Sequence, residues 1–168
     1  MSKNETIAAA ISDQERIFLE RAIALSREGM HSGKGGPFGC VVVKDGRIVG
    51  EGSNEVTSLN DPTAHAEVMA IRNACRQLGH YQLDGCTIYT SCEPCPMCLG
   101  AIYWARPDRV VYANTRHEAA EILFDDAFIY DEINAGLHER KIPFTHCPLP
   151  SAQKVFEEWA HKTDKKSY

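Results

Sequence analysis

The chain has 168 residues, 43% of them apolar, and carries 18 Lys and Arg against 23 Asp and Glu, a net charge of −5. That length suits one compact domain that needs no disulfide or metal merely to hold its core. The longest apolar runs, residues 7–11 and 40–43, fall far short of the ~20 residues that span a bilayer, and the acidic balance argues against nucleic acid as the main partner.

The N-terminus lacks a basic start and a long apolar stretch, so no export signal is read and a cytoplasmic chain is expected. Residues 1–11 read as a flexible arm. Ser12 followed three residues later by Glu15 is a capping-box pattern. Phe18, Ala22 and Leu25 then recur at helical spacing, with Gly29 as the expected stop. A glycine-rich loop leads into two β-type runs, 38–44 and 47–51, joined by Asp45-Gly46, a hairpin signal. Residues 54–61 are polar and loop-like. Thr63 is placed as the cap of a second helix, with Val68, Ile71, Cys75 and Leu78 on its apolar face and Gly79 as its end.

Residues 86–90 read as a buried strand. Pro96, at a first helical position, opens a helix that runs to about Trp104. A strand at 109–113, helical stretches at 118–121 and 126–133, a helix at 151–161 and a polar tail over 162–168 complete the chain. Strands separated by helical segments imply an α/β sandwich, and 1–168 is taken as a single domain.

Seven cysteines, an odd number, make a disulfide framework a poor fit; reduced thiols serving as metal ligands or core filler suit the chain better. Cys95 is placed at a helix N-cap with Cys98 three residues on, so both sulfurs lie over one helix end. A positive helix terminus and a bound cation both favour thiolates there. Two thiolates and the His65 imidazole form a good donor set for Zn²⁺, leaving a fourth position for water.

His65-Ala66-Glu67 followed by Pro94-Cys95 and Cys98 matches the signature of zinc-dependent nucleobase deaminases. Zinc lowers the pKa of bound water toward ~7. A carboxylate that does not ligate the metal must move protons, and Glu67 fills that place. Hydroxide would attack the amine-bearing ring carbon, and ammonia would leave. Cys92 offers a fourth ligand for a closed structural site, although Pro94 and the strand before Cys92 should turn its side chain away. Glu93 is either surface charge or a contact to the site.

The stretches GGPFGCVVVKDG (35–46), NDPTAHAEVMAIRNAC (60–75), TSCEPCPMCLGAIYWARP (90–107) and FDDAFIYDEI (124–133) resemble the cytidine-deaminase-like superfamily, and most closely its bacterial guanine deaminases. The likeness runs from about Phe18 to Tyr168. It implies a three-layer α-β-α sandwich around a central mixed five-stranded sheet. It also implies one zinc per subunit on His65, Cys95 and Cys98, with Glu67 as proton shuttle. By the same resemblance Phe38 would stack on a purine, Asn54 and Ala66 would contact it, and Trp104 would wall the pocket. Asp126 would read a ring N–H or amine, and Tyr168 would lie near the site. Whether Asp125 or Asp126 points inward does not follow from spacing. The family also implies a homodimer, with C-terminal tails that can be exchanged.

The expected reaction is therefore conversion of guanine, a small purine base, to xanthine and ammonia. A tRNA adenosine deaminase shares PTAHAE and EPCxMC but would need a basic face for an anticodon loop. A free cytosine or cytidine deaminase is a third reading. A non-catalytic zinc-stabilised module is a fourth, though such a module has no use for Glu67.

Overall fold

The structure, a computed structural model, describes residues 10–168. Most of the expected arm at 1–11 lies outside them. Internal packing divides the chain into one compact unit that ends at Asp125 and a second that spans Asp126–Tyr168.

In the first unit, α1 (Asp13–His31) precedes the hairpin β1 (Gly39–Lys44) and β2 (Arg47–Ser53), the single turn α2 (Val56–Leu59) and α3 (Ala66–Leu78). Strand β3 (Cys86–Cys92), α4 (Pro96–Ala105), β4 (Arg109–Asn114) and α5 (Arg116–Glu121) follow. The sheet order is β2-β1-β3-β4; the first two pairings are antiparallel and β3–β4 is parallel, so the sheet is mixed.

Side chains alternate across the strands, as the two-residue strand period requires. Cys40, Val42 and Ile88 join Ala66, Ala70, Ala74 and Ile102 of α3 and α4 in one core. Val41, Val43, Tyr89 and Val111 join Phe18 and Ala22 of α1 in the other. The result is the expected three-layer α-β-α arrangement.

Most predicted elements are present. Ser12 and Glu15 form both bonds of the capping box, and Asp45 and Gly46 adopt the paired positive φ angles of a tight hairpin turn. Several expectations need correction; the stretch 54–61, expected as loop, carries the single turn α2. Gly29 does not stop α1, which continues to His31. A Cβ at 29 would lie 2.8 Å from Ser53 Cβ, so this glycine serves close packing rather than termination.

The N-cap of α3 is His65, not Thr63. The Thr63 hydroxyl is committed to Asp61 Oδ1 at 2.7 Å. The deepest stripe of α3 is Ala66-Ala70-Ala74, with Ile71, Cys75 and Leu78 flanking it. Gly50 and Gly52 of β2 explain the small residues. Cβ atoms there would come within 2.5 Å of Ala70 O and 2.4 Å of Ala66 O, so the helix lies directly on strand backbone.

The sheet has four strands among the described residues, not five. The fifth came from the resemblance alone, and the stretch between the last two helices, with Pro143 and Pro148, forms no strand. Each proline removes a ladder N–H.

The second unit holds α6 (Ala127–Asn134) and α7 (Pro150–His161). The Lys141 N–H donates to Glu132 Oε2 at 2.9 Å, and the Arg140 guanidinium lies 4.9 Å from the Phe144 ring centroid. Val155, Phe156 and Trp159 of α7 are exposed. Among the described residues no helix is long and apolar enough to cross a membrane.

Candidate metal and catalytic site

Two helix N-termini meet in the first unit. His65 is the N-cap of α3 and Cys95 the N-cap of α4, with Pro96 at the first helical position. An N-cap side chain ordinarily bonds a free N–H of the first turn. Neither His65 nor Cys95 does so. Both turn instead to a shared point, where His65 Nδ1 lies 3.5 Å from Cys95 Sγ and 3.5 Å from Cys98 Sγ.

Among the described residues, His65, Cys95 and Cys98 form the cluster whose donor atoms all lie within 4.8 Å of one another. A tetrahedral ion with Zn–S of ~2.3 Å and Zn–N of ~2.0 Å sets nitrogen and sulfur ligands about 3.5 Å apart, so the three donors fit zinc. Cys92 is not in the cluster; its thiol donates to the Thr115 carbonyl at 3.6 Å. The closed four-ligand site is therefore absent among the described residues. Glu93 accepts from the Arg116 N–H at 3.0 Å and so secures the start of α5.

The electrostatics call for a cation. Cys95 is held down to about 4, first by its hydrogen bond with Cys98 and then by His65. Cys98 is pushed far up by the same partnership with Cys95 and by burial. The pair thus holds one negative charge, and a divalent ion is what allows both to be thiolates. The Cys95 sulfur raises the His65 imidazole.

Glu67 follows His65 by two residues and is 6% exposed. It accepts from the Thr90 hydroxyl at 3.2 Å and from the Cys98 thiol at 3.3 Å. Burial pushes its carboxyl above the usual carboxylate range, and the hydrogen bonds offset part of that. A buried carboxylate whose carboxyl is held above its ordinary range, beside the cation the three donors would hold, is suited to taking and giving protons.

The other expected contacts fall in different places. Asn54 is buried, and its Oδ1 accepts from the Gly36 and Val56 N–H groups at 3.2 Å each. Phe38 packs against the α3–α4 core, and its carbonyl accepts from the Asn54 N–H at 3.0 Å. Ala66 is the first residue of α3 and fully buried. Trp104 is 64% exposed at the far end of α4, about 13 Å of helix rise from Cys95. Asp126 occupies the N-cap position of α6 without a capping bond from its side chain, and Tyr168 is exposed; both belong to the second unit.

Sequence reasoning missed Thr90 and Phe124. Thr90 had a signal: it is a polar residue in an otherwise buried strand. Phe124 opens the FDDAFIYDEI stretch that carries the resemblance, yet its pairing with Phe38 has no local signal. It packs at 90° to Phe38 with ring centroids 4.9 Å apart.

Residues 12–114 match the family model described as the cytidine and deoxycytidylate deaminase zinc-binding region. Guanine deaminase of Bacillus subtilis is 59% identical over 151 residues, covering 90% of this chain and 97% of that one. Its X-ray structure superposes with a TM-score of 0.90 at 56% identity, over 94% of this chain and 99% of the other. The tRNA-specific adenosine deaminase of Aquifex aeolicus is more distant, 33% identical over 86% of this chain and 93% of its own. With a matching model over more than half its length and donor atoms spaced for the ion, the chain belongs to the zinc-binding cytidine and deoxycytidylate deaminase family.

Proposed function

We propose that this protein hydrolyses guanine to xanthine and ammonia, using zinc held by His65, Cys95 and Cys98. The observation that carries the reading is near-complete, high-identity coverage by a guanine deaminase over a chain whose cluster retains Glu67. When bound, the metal supplies a Lewis acid that brings deprotonation of water within reach of neutral pH.

The remaining work falls to the chain. A Glu67 carboxylate oxygen takes one proton from the attacking water and delivers it to a ring nitrogen of the base, then takes the remaining hydroxyl proton and passes it to the exocyclic amine. Water's oxygen becomes the new carbonyl as ammonia departs, so atoms and charge balance. The helix N-termini of α3 and α4 add positive potential around the thiolates.

Phe38 is assigned to stacking on the base and Asn54 to its polar edge. Because Oδ1 of Asn54 is held by two backbone N–H groups, Nδ2 is the atom left to offer, a donor for a ring or carbonyl acceptor. Ala66 adjoins the ligand His65 and is assigned to the pocket floor. Trp104 is assigned to the wall, Asp126 to an N–H of the base, and Tyr168 to the site margin. All six assignments rest on the resemblance.

The chain is read as one deaminase domain, acting as a cytoplasmic homodimer with C-terminal tails that can cross to the partner. The exposed Val155, Phe156 and Trp159 of α7 support an apolar face with a partner to cover.

The test is an ammonia-release screen on zinc-quantified protein with guanine, adenine, cytosine, their nucleosides and tRNA. Turnover of guanine alone among these supports the reading. Salt-sensitive turnover of tRNA in its place would replace it with the adenosine-deaminase reading, and a zinc-loaded protein that releases ammonia from none of them would reject both.

A further inference from the structure

Phe124 is 45% exposed, yet it stands at 90° to the half-buried Phe38 with centroids 4.9 Å apart, the edge-on arrangement that aromatic quadrupoles favour. The chain makes an unusual local choice to put it there. Helix α5 ends in a tight turn in which the Leu123 N–H bonds Ala120 O and the Phe124 N–H bonds Ala119 O, both at 3.0 Å. This turn needs a left-handed residue, ordinarily glycine. Leu123 takes the position at φ +74° while 93% exposed, so its side chain gains almost nothing from it. What the turn does achieve is the placement of the next residue, Phe124.

The facing position is shaped to receive that ring. A Cβ on Gly36 would come within 2.9 Å of Phe124 Cζ and 3.2 Å of both Phe124 Cε1 and Phe38 Cε2. Only glycine leaves both rings where they are. The same short segment reaches the reacting groups. The Gly36 N–H fixes the Asn54 amide, the Phe38 carbonyl accepts from Asn54, and the Gly39 carbonyl shares the Thr90 hydroxyl with Glu67.

We propose that Phe124 is a positioning residue that locks the Phe38 ring in the orientation for stacking on a purine, in a slot kept open by glycine at 36. The inference rests on the assignment of Phe38 to base stacking made above. The pair acts as one wall: Phe124 spares Phe38 the entropy of choosing a rotamer at the moment of binding.

The experiment uses zinc-loaded wild-type, F124A, F124L, F124Y, F38A and the F38A/F124A double variant. Zinc content, Tm, kcat and KM for guanine, and Kd for xanthine by equilibrium titration are read together. Expected is a rise of about two- to ten-fold in KM and in xanthine Kd for F124A, larger than any fall in kcat. F124L should be intermediate and F124Y should restore binding. In the F38A background, F124A should add nothing further.

Unchanged binding in F124A, or the same added loss with Phe38 already removed, would overturn the proposal. Wild-type protein that binds purine bases without releasing ammonia would reject the proposed reaction and leave this inference to the binding constants. Wild-type protein that binds no purine at all would overturn both.

Discussion

The Thr90 hydroxyl donates to Glu67 Oε1 at 3.2 Å and has the Gly39 carbonyl as its alternative acceptor at 3.4 Å. Thr90 is 1% exposed, so no water competes for that hydrogen. The bond fixes which way the carboxylate faces before substrate arrives. Hydrogen bonds to charged groups contribute about 1.5–3 kcal/mol, so Thr90→Val should lower kcat by about ten-fold or more. KM and zinc content should hold, and Thr90→Ser should recover most of the rate. Steady-state kinetics with metal analysis check this; an unaltered kcat in Thr90→Val would remove Thr90 from the orientation of Glu67.

Glu67→Gln keeps the shape and removes the proton carrier. Zinc binding and the circular dichroism spectrum should match wild type, because the ligands are His65, Cys95 and Cys98. The rate on guanine should fall by about 10²–10⁴-fold, the usual share of general acid–base catalysis. Near-normal turnover in Glu67→Gln would move the proton shuttle elsewhere.

Removal of the metal should cost both activity and stability. Without a cation the Cys95–Cys98 pair holds a single negative charge, and two helix N-termini lose the centre that joins them. A ligand present at about 100 times its Kd stabilises the folded state by about 2.7 kcal/mol, so chelation should lower Tm by several degrees and zinc should restore it. Cys98→Ser should behave as permanently chelated protein. Differential scanning calorimetry with added zinc separates this outcome from irreversible unfolding, in which zinc restores nothing.

The metal triad was legible in the sequence because spacing and chemistry coincide there. Pro96 marks a helix start, Cys95 must then be its N-cap, and Cys98 lies over the same end. The four strands were legible from β-type runs and the Asp45-Gly46 turn. The start of α3 was misplaced because a threonine two residues before the histidine is the stronger cap by propensity. Only the fold reveals that Asp61 claims its hydroxyl. The alanine stripe of α3 was hidden because its cause, backbone contact with Gly50 and Gly52, involves residues distant in sequence. Phe124 was hidden for a similar reason: nothing in its neighbours says that a leucine will adopt a left-handed turn and aim the next ring at Phe38.

Gly52 offers a test of how the sheet positions the site. A Cβ there would meet Ala66 O at 2.4 Å and Ala70 N at 2.5 Å, both backbone atoms that no rotamer change can move. Ala66 directly follows His65, and Glu67 follows Ala66. Gly52→Ala must therefore push the first turn of α3 off β2 and carry a metal ligand and the proton carrier with it. Overpacking of this kind costs about 1–3 kcal/mol, so Tm should fall, and zinc affinity and kcat should fall with it. Gly100→Ala is the matched control. It lies within α4, where an added Cβ meets nothing within 4 Å, and replacing a helical glycine gains about 0.5–1 kcal/mol. That variant should melt higher and bind zinc as wild type does. Loss of zinc in Gly52→Ala but not in Gly100→Ala, measured on refolded protein by metal titration, would tie site geometry to the contact between β2 and α3. Equal zinc affinity in the two variants would show that the site tolerates displacement of the helix on which it is built.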